Sequence, residues 1–258
     1  MCPRQGSTEP QAIAGRALFN APMLLGGQAA RADISCASCH SNGRRNAHFF
    51  LAGISSDPGT ADVSSSFFSL ARSDGKFDPK PIPDLAFPGK ISRDPATGDL
   101  ERFLRGLIVE EFSGREPSKG AISALAAYVR TIGDCGATQE QPRRLEDQVS
   151  LVRQSVLSAE IMARLGDSES AAVLVAGARN QLGLIDERFA GPELGRERRM
   201  LLRASRLLQP DAQSGATEQA HLRDWLAGFD RDVVPVLRRS EARSLYNPQH
   251  PGLAWLRK

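Results

Sequence analysis

Ser35-Cys36-Ala37-Ser38-Cys39-His40 is the stretch on which the reading of this 258-residue chain turns. It is a Cys-x-x-Cys-His pattern, the attachment signature of a c-type haem. Two thiols three positions apart on one helical turn can each reach one vinyl group of a porphyrin, and the next residue can turn its imidazole onto the iron. Three other readings were weighed. A structural zinc site wants four ligands, usually two such cysteine pairs, and no second pair is present. A thioredoxin-like redox pair wants a strand before the motif, and the flanks show no strand alternation. Chance remains open to any pattern of three fixed residues. The expectation is one covalent haem c on Cys36, Cys39 and His40.

Working outward, apolar residues at Ile13, Ala14, Ala17, Leu18 and Phe19 suit a short helix within Gln11 to Gly26, with Pro22 and Gly26-Gly27 ending it. From Ser41 to about Gly98 the chain reads as irregular, punctuated by Pro58-Gly59, Pro79, Pro81, Pro83, Pro88-Gly89 and Pro95. Phe49, Phe50, Leu51, Phe67, Phe68, Leu70, Phe77, Leu85 and Phe87 argue against disorder there. They predict an apolar object for the loops to wrap, which a macrocycle would supply. Asp99 to Glu111 reads as a helix with Asp99 as N-cap and Leu100, Phe103, Leu104, Leu107 and Ile108 on one face. A second helix is expected from Ser118 to Ile132, with Gly133 as its stop.

The segments Gly15-Arg16-Ala17-Leu18-Phe19, Pro22, Leu24 and Ser35 to His40, with the later Leu125-Ala126-Ala127-Tyr128-Val129, resemble a domain of the bacterial di-haem cytochrome c peroxidase and methylamine-utilisation (MauG-like) family. The resemblance covers roughly residues 10 to 133. It implies a cytochrome c fold whose first and last helices cross. Those enzymes carry two haem motifs and this chain has one, so their division between an electron-passing and a peroxide-meeting haem cannot operate within it.

The second axial position decides between electron transfer and chemistry at the iron. No Met lies between Met23 and Met162, which removes the usual candidate. His48, in the loop after the motif, is the first choice, against a surface histidine or one hydrogen-bonded to a propionate. Met23 is the less favoured ligand, and an open iron is a further alternative. The resemblance adds Tyr128, whose helical setting favours packing. Arg44, Arg45, Arg72 and Arg93 are candidate propionate partners. Glu110 and Glu111 are either an acid/base for peroxide or a solvated helix end. Cys2 and Cys135 bracket the domain, as a disulfide, two thiols, or a lipidation site at Cys2.

Thr138 to Pro142 is a polar boundary, giving a haem domain over 1–138 and a helical domain over 139–258. Leu145–Leu165, Ser168–Phe189, Pro192–Leu208 and Thr217–Arg239 show helical periodicity with short connections, which favours a bundle. Trp225, Leu226 and Phe229 suggest core, and Pro248 to Trp255 a segment packed across it. Arg196, Arg198, Arg199, Arg203 and Arg206 read as a solvated face, and His221 and His250 as solvated. The expected class is all-α: a cytochrome c-like domain with long irregular loops, followed by a helical bundle.

Lys and Arg total 33 against 30 acids, a net of +3, too balanced to argue for nucleic acid. No stretch approaches the roughly 20 apolar residues of a membrane span. Met1 to Gly6 shows no apolar leader, whereas thioether attachment is completed outside the cytoplasm. The expectation is therefore a periplasmic or otherwise extracytoplasmic protein whose leader is not in this sequence. A mono-haem electron carrier with a redox partner protein is the first functional expectation. A peroxidase-like enzyme and a haem-based sensor or assembly subunit are the others. The helical domain is a possible site of self-association.

Overall fold

A computed structural model describes residues 9–87, 89–133, 144–209 and 218–247, with backbone alone for 218–220. The chain divides into two compact units, Met1–Glu140 and Gln141–Lys258. Both are helical, and the sole strand pairing among the described residues is a two-residue antiparallel ladder. No described helix is long and apolar enough to cross a membrane. Cys2, Cys135, His250, the boundary Thr138–Pro142 and the segment Pro248–Trp255 lie outside the described residues.

The first unit is organised on the crossing of α1 (Pro10–Phe19) and α5 (Lys119–Thr131). Gly15 makes this possible: a Cβ there would sit 1.9 Å from the Ala124 carbonyl oxygen and 2.8 Å from Tyr128 Cβ. Ala14, Ala17, Leu18 and Phe19 are buried on one side and Ala121, Ala124, Leu125 and Tyr128 on the other. The Phe19 and Tyr128 rings meet edge to face at 5.2 Å. Ser118 caps α5 by accepting from the Ala121 N–H at 3.0 Å. Ile122, Leu125, Ala126, Val129 and Ile132 are buried as the periodicity requires.

After α1 the chain turns at Asn20, whose side-chain amide donates to the Arg16 carbonyl at 2.9 Å. A 3₁₀ turn (Pro22–Leu24) and α2 (Gly27–Arg31) lead to α3 (Cys36–Cys39). The helix within Gln11 to Gly26 thus stops at Phe19. The long segment after α3 is irregular apart from a short 3₁₀ turn and the ladder of β1 (Thr60–Ala61) with β2 (Lys80–Pro81).

Asp99 is not the cap of α4 (Asp99–Gly106); Gly98, at φ 66°, holds that position. Asp99 is already helical, and the Thr97 hydroxyl takes its N–H at 3.2 Å. A π-turn (Leu107–Glu111) continues α4. Leu100, Leu104 and Ile108 are buried, whereas Phe103, placed on that face by periodicity, is 43 % exposed. Arg130 at the end of α5 pairs with Glu101 at 2.8 Å and donates to the Arg93 carbonyl at 2.8 Å.

In the second unit, α6 (Leu145–Arg164) and α7 (Ser168–Arg188) are joined by three residues and pack along each other. Leu145, Val149, Val152, Val156 and Ala159 form a continuous buried stripe on α6, facing Leu174, Ala178, Leu182 and Ile185 on α7. Asp167 caps α7, accepting from Ser170 N–H at 3.1 Å. α8 (Gly195–Leu207), α9 (Glu218–Gly228) and α10 (Val234–Ser240) complete the unit. The helix expected over Thr217–Arg239 is broken by a π-turn (Phe229–Val233). Pro235 comes two residues after its end, and its missing N–H and ring clash are what a wider turn relieves. Trp225 and Phe229 are buried and stacked at 5.0 Å, with the indole N–H donating to the Ala204 carbonyl at 2.9 Å.

Gly15→Ala is expected to destabilise the first unit by about 2–3 kcal/mol or more, because a backbone carbonyl blocks the new methyl; chemical denaturation measures this, and an unchanged midpoint contradicts the crossing. The Arg130 hydrogen bond holds the Glu101 carboxyl below its ordinary 4.5. Its contribution is therefore complete above that ordinary value and lost as pH falls through the lower folded one. Glu101→Gln should flatten the acid limb of a stability–pH curve.

Candidate functional site

α3 is a single turn that presents Cys36 and Cys39 from one face. The Ser35 N–H donates to Ser38 Oγ at 3.0 Å and the Ser38 N–H to the Ser35 carbonyl at 3.0 Å, which fixes the start of the turn. Neither cysteine is in a disulfide. Burial pushes both thiols up to about 12, with the neighbouring Cys39 adding to the rise at Cys36. Both are thus protonated at neutral pH. A nucleophilic Cys-x-x-Cys pair has the opposite bias, and α3 follows α2 rather than a strand, so the redox-dithiol reading loses both of its supports.

His40 closes the turn at φ −117°, ψ 67°. Burial lowers its imidazole to about 4, against the smaller pull of the Pro83 carbonyl and the Asp84 carboxylate. The ring is therefore neutral at physiological pH. Its Nδ1 is buried and makes no hydrogen bond, and the Pro83 carbonyl borders the ring. The Phe19 ring centroid is 6.5 Å from that of His40, so α1 borders the site.

Asn46 binds the following loop back onto the motif. Its N–H donates to the Cys39 carbonyl at 2.9 Å and its side-chain amide to the Ser38 carbonyl at 2.8 Å. Its Oδ1 accepts from the His48 N–H at 3.0 Å. Before it, Gly43 at φ 76° lies against Ile132, whose Cδ1 would be 2.6 Å from a Cβ. The loop is thus seated on the end of α5. Asn46 escaped the sequence reading, although an Asn two residues before a candidate ligand is an Asx-turn signal.

The remaining candidates take different places. Arg44 is half-buried and holds Asp84 at 2.8 Å, with its guanidinium 5.7 Å from the Phe87 ring centre; it braces the segment that borders His40. Arg45 is exposed, with Nη2 3.1 Å from where a Gly59 Cβ would stand. Arg72 pairs with Glu111 at 2.8 Å and Glu110 at 3.7 Å, which engages both candidate acids in an ion pair. Arg93 donates to the Val129 and Ile132 carbonyls at 3.3 Å, and to the Leu85 carbonyl. It is a tie between loop and helix end rather than a free anion partner. His48 is exposed and Met23 is 56 % exposed. Tyr128 is buried in the helix crossing, and burial raises its hydroxyl despite the neighbouring Arg16, with Cys36 close by. His221, in the second unit, is exposed with Nε2 2.7 Å from the Leu207 carbonyl.

Among the described residues no group of three or more His, Cys, Asp or Glu is gathered to hold a metal ion, so the four-donor zinc reading finds no ligand set there. In comparisons with known proteins, no family model matches the chain, and no curated protein or solved structure does.

Asn46→Ala removes the two side-chain bonds that tie this loop, and is expected to cost about 1–3 kcal/mol in denaturant unfolding. Loss within error of zero would contradict the bracing role.

Proposed function

We propose that the chain is a mono-haem c-type cytochrome, carrying electrons in the cell envelope. Cys36 and Cys39 would hold the porphyrin through thioethers, and His40 would ligate the iron. The observation that carries this reading is the Cys36-to-His40 turn itself: two thiols on one helical face, in no disulfide, and next to them a buried imidazole whose Nδ1 makes no hydrogen bond. An imidazole that ligates through Nε2 keeps its proton on Nδ1 and needs a carbonyl to receive it. The Pro83 carbonyl, which borders the ring, is the candidate, and Arg44 braces its segment through Asp84.

The donor set fits the group. Seven large apolar side chains of the first unit stay exposed among its described residues: Met23, Phe50, Val63, Leu70, Phe77, Phe87 and Phe103. Phe50, Phe77 and Phe87, in the loops that follow the motif, are apolar side chains that a macrocycle would cover. The α1–α5 crossing at Gly15 supports a cytochrome c-like first unit, and the three-residue link between long packed helices supports a bundle in the second. Bound haem supplies a one-electron couple between ferrous and ferric iron. The chain's own residues would position that group, with Cys36 and Cys39 bonding it and His40 kept from water by burial. Arg45, exposed and without an ion pair to a described residue, would be the propionate partner, since Arg44, Arg72 and Arg93 are engaged. His48 is the proposed sixth ligand, held by the Asn46 turn. A redox protein partner and an extracytoplasmic location follow from the same reading.

One absorption spectrum of the reduced protein tests the function. A low-spin spectrum unchanged by carbon monoxide, cyanide or peroxide supports the carrier; high-spin iron that binds them and turns over peroxide with a reductant replaces it with the peroxidase-like reading. His48→Ala should open the sixth position and admit carbon monoxide. An unaltered spectrum ends the claim for His48.

A further inference from the structure

We propose that the outer face of α8 docks on the surface of an anionic phospholipid bilayer, whether or not the first unit carries haem. α8 buries Glu197, Leu201 and Ala204. At about 100° per residue, Arg196, Arg199, Arg203 and Arg206 fall within an arc of about 80° on the opposite side and extend over about 15 Å. All four are exposed.

This charge is not cancelled locally. Arg199, Arg203 and Arg206 form no hydrogen bond or ion pair with a described residue. Glu197, the one acid on the helix, is 4 % exposed. It accepts from the Ser240 hydroxyl at 2.5 Å and pairs with Arg243 at 3.4 Å. Asp186 on the facing helix is held by Arg198 at 2.9 Å. A chain of only +3 overall thus concentrates uncompensated cations on one helix face.

The flanks decide what such a face meets. Leu202 and Leu207 border the arginine row, one on each side, and each is 52 % exposed. Next to the row, a crevice of about 360 Å³ between α7 and α8 has Leu182, Leu201 and Leu202 in its wall and Arg179 and Arg199 among its polar lining. Nucleic acid rewards the cations and leaves the leucines wet. An acidic protein surface satisfies the guanidinium groups but covers the leucines only where a matching apolar patch lies beside its acids. A bilayer surface does both: phosphates meet the planar, paired donors of arginine, and leucines at the same level enter the headgroup–acyl boundary.

Flotation of the full-length protein with lipid vesicles tests this. The protein should float with a ~7:3 mixture of phosphatidylcholine and phosphatidylglycerol at low ionic strength, stay behind with phosphatidylcholine alone, and be released by about 0.5 M NaCl. Each arginine contributes about fivefold to partitioning, so Arg199→Gln/Arg203→Gln/Arg206→Gln should lower it about 100-fold, while the corresponding triple Lys variant keeps most of it. Leu202→Ser/Leu207→Ser should weaken vesicle binding and leave retention on polyglutamate or duplex DNA unchanged. Absence of phosphatidylglycerol-dependent flotation overturns the proposal. So does a leucine pair without effect, or tighter retention on either polyanion than on vesicles, which would assign the face to an acidic macromolecule. If the triple Gln protein fails a circular-dichroism melt, the leucine pair and the salt dependence carry the test.

Discussion

Two backbones meet where Gly15 of α1 lies on Ala124 of α5, and the first unit depends on that approach. No other residue type leaves room for the Ala124 carbonyl, and the closeness brings Phe19 onto both Tyr128 and His40. The end of α5 then serves as an anchor for loops that have almost no ladder hydrogen bonds of their own. Ile132 receives Gly43, and Arg93 reaches its carbonyl and that of Val129. A long irregular segment is ordered by its attachments to α3, to the π-turn after α4 and to the end of α5 rather than by secondary structure.

Burial then sets the chemistry at Cys36, Cys39 and His40. It pushes two thiols toward the protonated form and an imidazole toward the neutral one. Those are poor states for thiolate nucleophilicity and for acid catalysis by a charged histidine. They are compatible with the proposed thioether attachment and iron ligation. Phe50, Phe77 and Phe87 of the loops stay exposed among the described residues.

Much of this was legible in the sequence, and unevenly so. The stripes of α5 and α6 were plain, because 3.6-residue periodicity survives wherever one helix face is buried. The crossing of first and last helices came only through resemblance. Phe103 misled, since periodicity marks a face but not whether anything packs against its edge. Asp99 misled as a cap because a left-handed glycine and the Thr97 hydroxyl did that work one and two residues earlier. The roles of Asn46 and Asp84 are long-range or backbone-directed, and no pattern in the residues announces that Arg44 will be spent on an aspartate forty positions away. The π-turn before Pro235 had a visible cause, yet helical periodicity runs straight through it.

The central claim is a covalent bond, so mass is its most direct measure. After expression with cytochrome-maturation machinery, intact and peptide mass spectrometry should find one haem added to the chain, on the peptide that contains Cys36 and Cys39. Cys36→Ala/Cys39→Ala should abolish the addition. A soluble, folded, colourless protein of unmodified mass from the same host would contradict the account.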